Sequence, residues 1–311
     1  MKKWLTGIVL LLVLLTGLVY VGIPRTVVVS GMIAANCNVN GGFKFLGDGS
    51  NWIKWWPGKK EGGELLPEYH GNRYQVEGAS YPVISVLIHG KDSVIRSLMT
   101  VVSNGAPDSA VIQWECNLDA GINPVSRVRT YLHAKGLRKD LAELLGVLRP
   151  FLGKRENVYG LPIREVSTRD SFLLASRMVL PAYPRTVDIY TALQKMHAQI
   201  KEAGGMETNF PMMNITSLAD GQYQLMVAIP NSKEISGKGA FFTRKLVPGK
   251  YLACEVRGGD HTINKALVRL QEYIQDFQLT TMAIPFQSLV TDRSKEADTS
   301  RWVTRIYYPV N

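Results

Sequence analysis

The residues best equipped for chemistry gather toward the C-terminal end of the chain. Tyr251, Ala253 and Glu255 alternate along KYLACEVRG, so a strand there puts all three side chains on one face, and Arg305 and Tyr307 share a face of WVTRIYYPV in the same way. With Tyr273 and Trp302, they combine aromatic walls with a carboxylate and a guanidinium. If Arg305 faces a cavity, its planar fork of donors suits an anionic or carbonyl-bearing ligand; if it faces outward, it is a surface charge. The tyrosines and Trp302 equally suit core positions with a hydrogen-bonded polar tip. A second aromatic group, Trp52, Trp55 and Trp56, reads as packing, or else as a pocket mouth or an interfacial belt beside Lys54, Lys59 and Lys60.

Other chemistries lack their signatures. His70, His89, His133, His197 and His261 show no H-x-x-x-H spacing, and no C-x-x-C pair is present, so neither a metal centre nor a cofactor is expected. GGDHTIN lacks the longer glycine pattern and basic residue of a phosphate-cradling loop; Gly258 and Gly259 read as turn residues ahead of an N-cap. Cys37 and Cys116 could pair in an oxidising compartment, leaving Cys254 free, although three scattered cysteines also suit small core positions. The formal charge of +10 is spread along the chain. Its densest stretch, Arg127 to Arg155, has Leu137, Leu141, Leu144, Leu145 and Leu148 at helical spacing, which sends the basic side chains to a solvated face. With no basic helix-turn-helix unit, nucleic acid is not an expected partner.

The elements that carry these residues begin with an apolar run. Leu5 to Ile23 holds no charged side chain and is long enough to cross a hydrocarbon core of roughly 30 Å. A cleaved signal peptide would have a shorter apolar stretch and small residues at its end, where this chain has Val-Tyr-Val-Gly-Ile-Pro. Lys2 and Lys3 before the run, against Arg25 after it, predict a cytoplasmic N-terminus and an extracytoplasmic body, periplasmic in a bacterium.

The 311 residues, 46% hydrophobic and 20% charged, suit two globular domains. In the first, TVVVSGMIA reads as a strand, followed by the meander YPVISVLIHG, SVIRSLMTVVS and SAVIQWECNL, and then by a helix from about 125 to 148 that Pro150 helps to end. Before the meander stands NVNGGFKFLGDGSNWIKWWPG. The stretch from Arg25 to Lys154 resembles START-like, or SRPBCC, domains of the polyketide cyclase-like kind. That resemblance implies a sheet gripping a long helix around a deep apolar cavity, with lipid or hydrophobic-metabolite binding and, in a minority, cyclase activity.

The second domain is a duplication. Ile189, Leu193, Met196 and Ile200 repeat their spacing in Ile263, Leu267, Leu270 and Ile274, and Pro211 lies as far past its helix as Pro285 does past the other. A strand precedes each helix (FLLASRMVL, KYLACEVRG), and YQLMVAIPNS and WVTRIYYPVN close the copies. From Phe172 to Asn311 this pattern resembles the GyrI-like effector-binding domain, also the ligand-sensing half of some AraC-type and MerR-type regulators. The resemblance implies small-molecule binding between the copies, often of cationic aromatic compounds, with an acidic residue on the closing strand. Here that position is Arg305, its counterpart in the first copy is Met226, and Gln287 and Leu289 follow the mid-domain proline, so the expected sign is inverted. Some members hydrolyse strained electrophiles with a Glu and Tyr pair, which makes Glu255 and Tyr307 the catalytic candidates.

The expectation is therefore an α+β protein with a transmembrane anchor over 1–24, a START-like domain over 25–154, a linker over 155–171 and a duplicated strand-helix-strand-strand domain over 172–311. Its expected role is to bind hydrophobic or amphipathic small molecules; the alternatives are a cyclase or hydrolase using one pocket, and a scaffold with closed pockets. The expected ligand-binding residues are Tyr251, Glu255, Tyr273, Trp302, Arg305, Tyr307, Trp52, Trp55 and Trp56. Protein partners are not specified by the sequence.

Overall fold

The computed structural model describes residues 2–57, 67–91, 93–168, 171–281 and 283–311. Lys59 and Lys60 of the expected interfacial belt lie outside them. The chain divides into two compact units, Met1–Val158 and Tyr159–Asn311, each α+β with one antiparallel sheet.

The first unit opens with helix α1 (Lys2–Gly22). Among the described residues no helix is long and apolar enough to cross a membrane. Strand β1 (Thr26–Ala35) leads into α2 (Val39–Gly47), whose N-terminus is capped by the Asn38 side chain, and then into a 3-10 turn over Gly49–Lys54. Strands β2 (Glu68–Tyr69), β3 (Asn72–Ser80), β4 (Val83–His89), β5 (Val94–Ser103) and β6 (Ala110–Asp119) complete a sheet of order β1-β6-β5-β4-β3-β2.

Helix α3 (Pro124–Leu152) lies against that sheet. Its Asn123 cap and the proline at its first position start it by satisfying, or removing, N–H groups that have no partner inside the helix. It continues past Pro150, contrary to the expected end near residue 148. A proline so close to the C-terminus costs one intrahelical bond, and the N–H of Gly153 closes the last turn on Arg149 O. Leu137, Leu141, Leu144, Leu145, Leu148 and Leu152 are buried, the amphipathic stripe read from the sequence. One edge of the sheet meets the helix at Gly31, where a Cβ would stand 2.8 Å from Leu145 Cδ1, so a larger residue there would have to displace that leucine side chain. At the other edge Tyr69 donates to Glu143 Oε2 at 2.6 Å, and His70 Nδ1 pairs with Asp140 Oδ1 at 2.8 Å. Both edges thus hold the helix.

In the second unit, the stretch expected as a linker contains α4 (Arg155–Tyr159), at the junction of the units, and β7 (Arg164–Thr168), which belongs to the second sheet. The first copy then supplies β8 (Ser171–Leu180), α5 (Thr186–Glu202), β9 (Met212–Ser217) and β10 (Tyr223–Asn231). The second supplies β11 (Phe241–Leu246), β12 (Gly249–Arg257), α6 (Asp260–Asp276), β13 (Phe286–Leu289) and β14 (Val303–Val310). The duplication is plain in the two 17-residue helices and in the sheet order β11-β8-β10-β9-β13-β14-β12-β7, which reads alike from either end. Each copy has one strand more than the expected strand-helix-strand-strand unit. The extra strands are exchanged: β7, leading the first copy, pairs with β12 of the second, and β11, leading the second, pairs with β8 of the first.

Cys37, Cys116 and Cys254 are free, buried thiols, and burial raises their pKa values from 9.0 to about 11, about 11 and about 12. A folded-state pKa above the unfolded value means the native state holds its protons more tightly, so this contribution to stability is intact below pH 9 and is lost as pH rises toward 11–12. We expect a thiol reagent at pH 8 to leave the native protein unlabelled and to modify all three cysteines after denaturation; rapid native labelling would show that the burial is wrong.

Candidate functional site

Strand alternation divides the second sheet into two faces. Leu174, Leu225, Val227 and Ile229 pack with Ile189, Leu193, Met196 and Ile200 of α5, so the helices cover one face. The opposite face carries Leu173, Ala175, Met212, Met226, Ala228, Tyr251, Phe286 and Pro309, which line a cavity of about 200 Å³. A second chamber of about 180 Å³ shares Met212, Leu246 and Phe286 with the first and adds Thr168, Thr208, Asn209, Phe210, Ser288 and Tyr307. One chamber is thus largely apolar and its neighbour is rich in hydroxyl and amide groups. Thr168 Oγ1 is buried there without a hydrogen-bond partner.

Several of the expected residues meet at this cleft. Tyr251 is buried, donates to Val247 O at 2.8 Å and meets the Phe286 ring edge-on at 5.9 Å. Tyr307 stacks on Phe286 at 5.0 Å. Glu255 and Arg305 stand opposite each other on β12 and β14, and Arg305 Nε donates to Glu255 Oε2 at 2.9 Å. This hydrogen bond raises the Arg305 pKa above its ordinary value, and Tyr307 adds in the same sense. The Arg305 guanidinium also lies 5.8 Å from the centre of the Phe210 ring. Its charge is therefore on the cleft side of the sheet but is matched by the neighbouring carboxylate.

The other expected residues lie elsewhere. Tyr273 is buried on α6 between the rings of Tyr159 and Phe277. Trp302 is buried, donates to Glu296 O and lies under the guanidinium of Arg293 at 4.7 Å. Arg293 is itself only 5% exposed; desolvation lowers its pKa, with Asp260 acting against the shift. In the first unit Trp52 and Trp55 are core residues. Trp52 donates to Leu46 O, stacks on Trp56 at 5.6 Å and meets Trp114 edge-on, so the rings pack into and against the core of that unit.

Two features leave no signature in the sequence. Arg244 borders the apolar chamber on β11, a strand whose sequence, FFTRKL, shows only weak alternation. His70, Asp140 and Glu143 bring donor atoms within 4.8 Å of one another and, among the described residues, form a group able to hold a divalent ion. Their seventy-residue separation leaves no spacing motif, and their observed contacts are those that hold the sheet edge to α3.

No family model matches the chain, and no curated protein matches it. Among solved structures it is similar to the EcmrR C-terminal domain, at 12% identity and a TM-score of 0.42, covering 48% of this chain and 96% of that one. It is similar to SAV2435 bound to tetraphenylphosphonium, at 13% identity and a TM-score of 0.33, covering 48% and 93% of the two chains. It is also similar to a hydrolase from Listeria innocua, at 10% identity and a TM-score of 0.37, covering 48% and 91%.

Proposed function

We propose that this is a membrane-anchored protein that binds hydrophobic or amphipathic small molecules in the cleft of its second unit. The observation that carries this reading is the paired chamber on the face of the second sheet opposite its helices, apolar on one side of Phe286 and polar on the other. Such a combination suits a ligand with an apolar body and a few polar groups. The duplicated topology supports a GyrI-like assignment for this unit. In the first unit, the six-stranded sheet held at both edges to α3 supports a START-like one. Support for the anchor comes from the uncharged run Leu5–Ile23 and from the 21 residues of α1, about 31 Å of helix. The exposed side chains of Leu10 to Leu15 agree with it. The lysines ahead of the run favour an extracytoplasmic body.

The test is native mass spectrometry of the full chain, gently extracted, with identification of whatever is released. A stoichiometric small molecule that disappears from an Ala228→Phe variant, which fills the chamber, is the expected result. An empty protein that a broad amphipathic library leaves unchanged in thermal shift would sink the reading. Because Glu255, Arg305 and Tyr307 converge beside the polar chamber, a hydrolase or cyclase is the second reading. It requires turnover that Glu255→Gln or Tyr307→Phe abolishes.

A further inference from the structure

The charges around the cleft narrow the chemistry of its occupant. Arg305 is matched by Glu255, so that pair contributes little net charge. Of the charged side chains bordering the apolar chamber, Arg244 and Lys245 are both basic, and the polar chamber has none. The register separates the two. Arg244 stands opposite Leu173, a chamber residue, whereas Lys245 stands opposite Phe172 and lies over that ring at 5.0 Å, on the other side of the strand. Phe242, two residues before Arg244 and on the same face, lies 5.5 Å beneath its guanidinium. Among the described residues no carboxylate pairs with Arg244. A cation stacked on an aromatic ring, at the edge of an apolar cavity and without a carboxylate partner among the described residues, repels cationic ligands and offers a planar fork to an oxyanion.

Size adds a second restriction. The apolar chamber, about 200 Å³, is only modestly larger than the roughly 150 Å³ cavity that takes a benzene, so it suits one chain of medium length rather than the two acyl chains of a membrane lipid. Beyond Phe286, the unpartnered Thr168 hydroxyl marks where a further hydroxyl or carbonyl of the ligand would be accepted. From these observations, and resting on the cleft being a binding site, we propose that the ligand is a single-chain anionic amphipath whose oxyanion is held by Arg244 and whose apolar body fills the chamber lined by Met226, Ala228, Tyr251 and Phe286.

The experiment compares three probes of equal length, octanoate, octan-1-ol and octylammonium, by calorimetric titration of the full chain in phosphatidylcholine nanodiscs, with empty nanodiscs as the blank. Octanoate should bind about tenfold more tightly than octan-1-ol, the factor expected of one charge-assisted hydrogen-bonded contact, and octylammonium should bind most weakly. Arg244→Gln should erase the preference by weakening octanoate to about the level of octan-1-ol, and Arg244→Lys should keep most of it. A thermal unfolding transition at the parent temperature shows that the variant is folded. Octanoate binding no better than octan-1-ol, or a preference that survives Arg244→Gln, overturns the anionic assignment while the cleft reading stands. If none of the three binds above the blank, the cleft reading falls with it.

Discussion

Trp114→Ala is expected to lower the stability of the first unit by about 3–5 kcal/mol, the usual cost of removing a large aromatic side chain from a core. Trp114 is fully buried on β6, directly across from Gly31 of β1. Its ring meets Trp52 and Tyr74 edge-on, at 5.6 and 5.7 Å, and its indole N–H donates to Ser97 Oγ at 3.0 Å. Alanine would forfeit these contacts and leave a void bounded by rigid rings that cannot close over it. Ser97 would keep its own bond to Val86 O, so most of the loss is packing rather than an orphaned hydroxyl. Thermal unfolding followed by near-ultraviolet circular dichroism provides the check. The transition of the first unit should fall steeply while that of the second stays in place; an unchanged first transition would mean that the aromatic cluster is not the core of that unit.

The second large effect is expected at Gly237. A Cβ there would overlap the carbonyl of Phe241 and stand 2.7 Å from Phe242 Cα, both backbone groups at the start of β11. Backbone cannot turn aside as a side chain can, so Gly237→Ala should push β11 away from β8 at a cost of about 2–3 kcal/mol. Because β11 carries Phe242 and Arg244, the same variant should also lose the discrimination between octanoate and octan-1-ol. A melting temperature within a degree of the parent protein, with discrimination intact, would show that the turn relaxes without moving the strand.

Much of the fold was legible because periodicity is a local property. The apolar spacing in α5 and α6 and the alternation in β4, β6, β10 and β14 each draw on residues close in sequence. Strands β7 and β11 were not recognised. REVST and FFTRKL show weak alternation, and each pairs with a strand of the other copy, so neither sequence nor near neighbours announce them. The cleft divides similarly. That Glu255 and Tyr251 share a face follows from counting along one strand, as it does for Arg305 and Tyr307. That Glu255 matches Arg305 depends on the register between strands fifty residues apart, which tertiary packing sets. Tyr273 and Trp302 illustrate the limit of residue type as a guide, because an aromatic ring suits a helix core as well as a ligand wall.

The exchange of β7 and β11 between the copies makes the halves of the second unit interlocked rather than merely adjacent. Half of this unit, separated from the other, would have a leading strand with nowhere to lie and a main strand missing its edge. It would be complete only as a symmetric pair of chains. Joining the halves in one chain keeps the interlock while freeing each to change alone, and the differences are visible at corresponding places: Arg177 beside Met226 in one half, Glu255 beside Arg305 in the other. An ancestor made of two identical chains would have had to present the same groups twice to whatever it held. A fused one can offer different chemistry at corresponding places of a single unit.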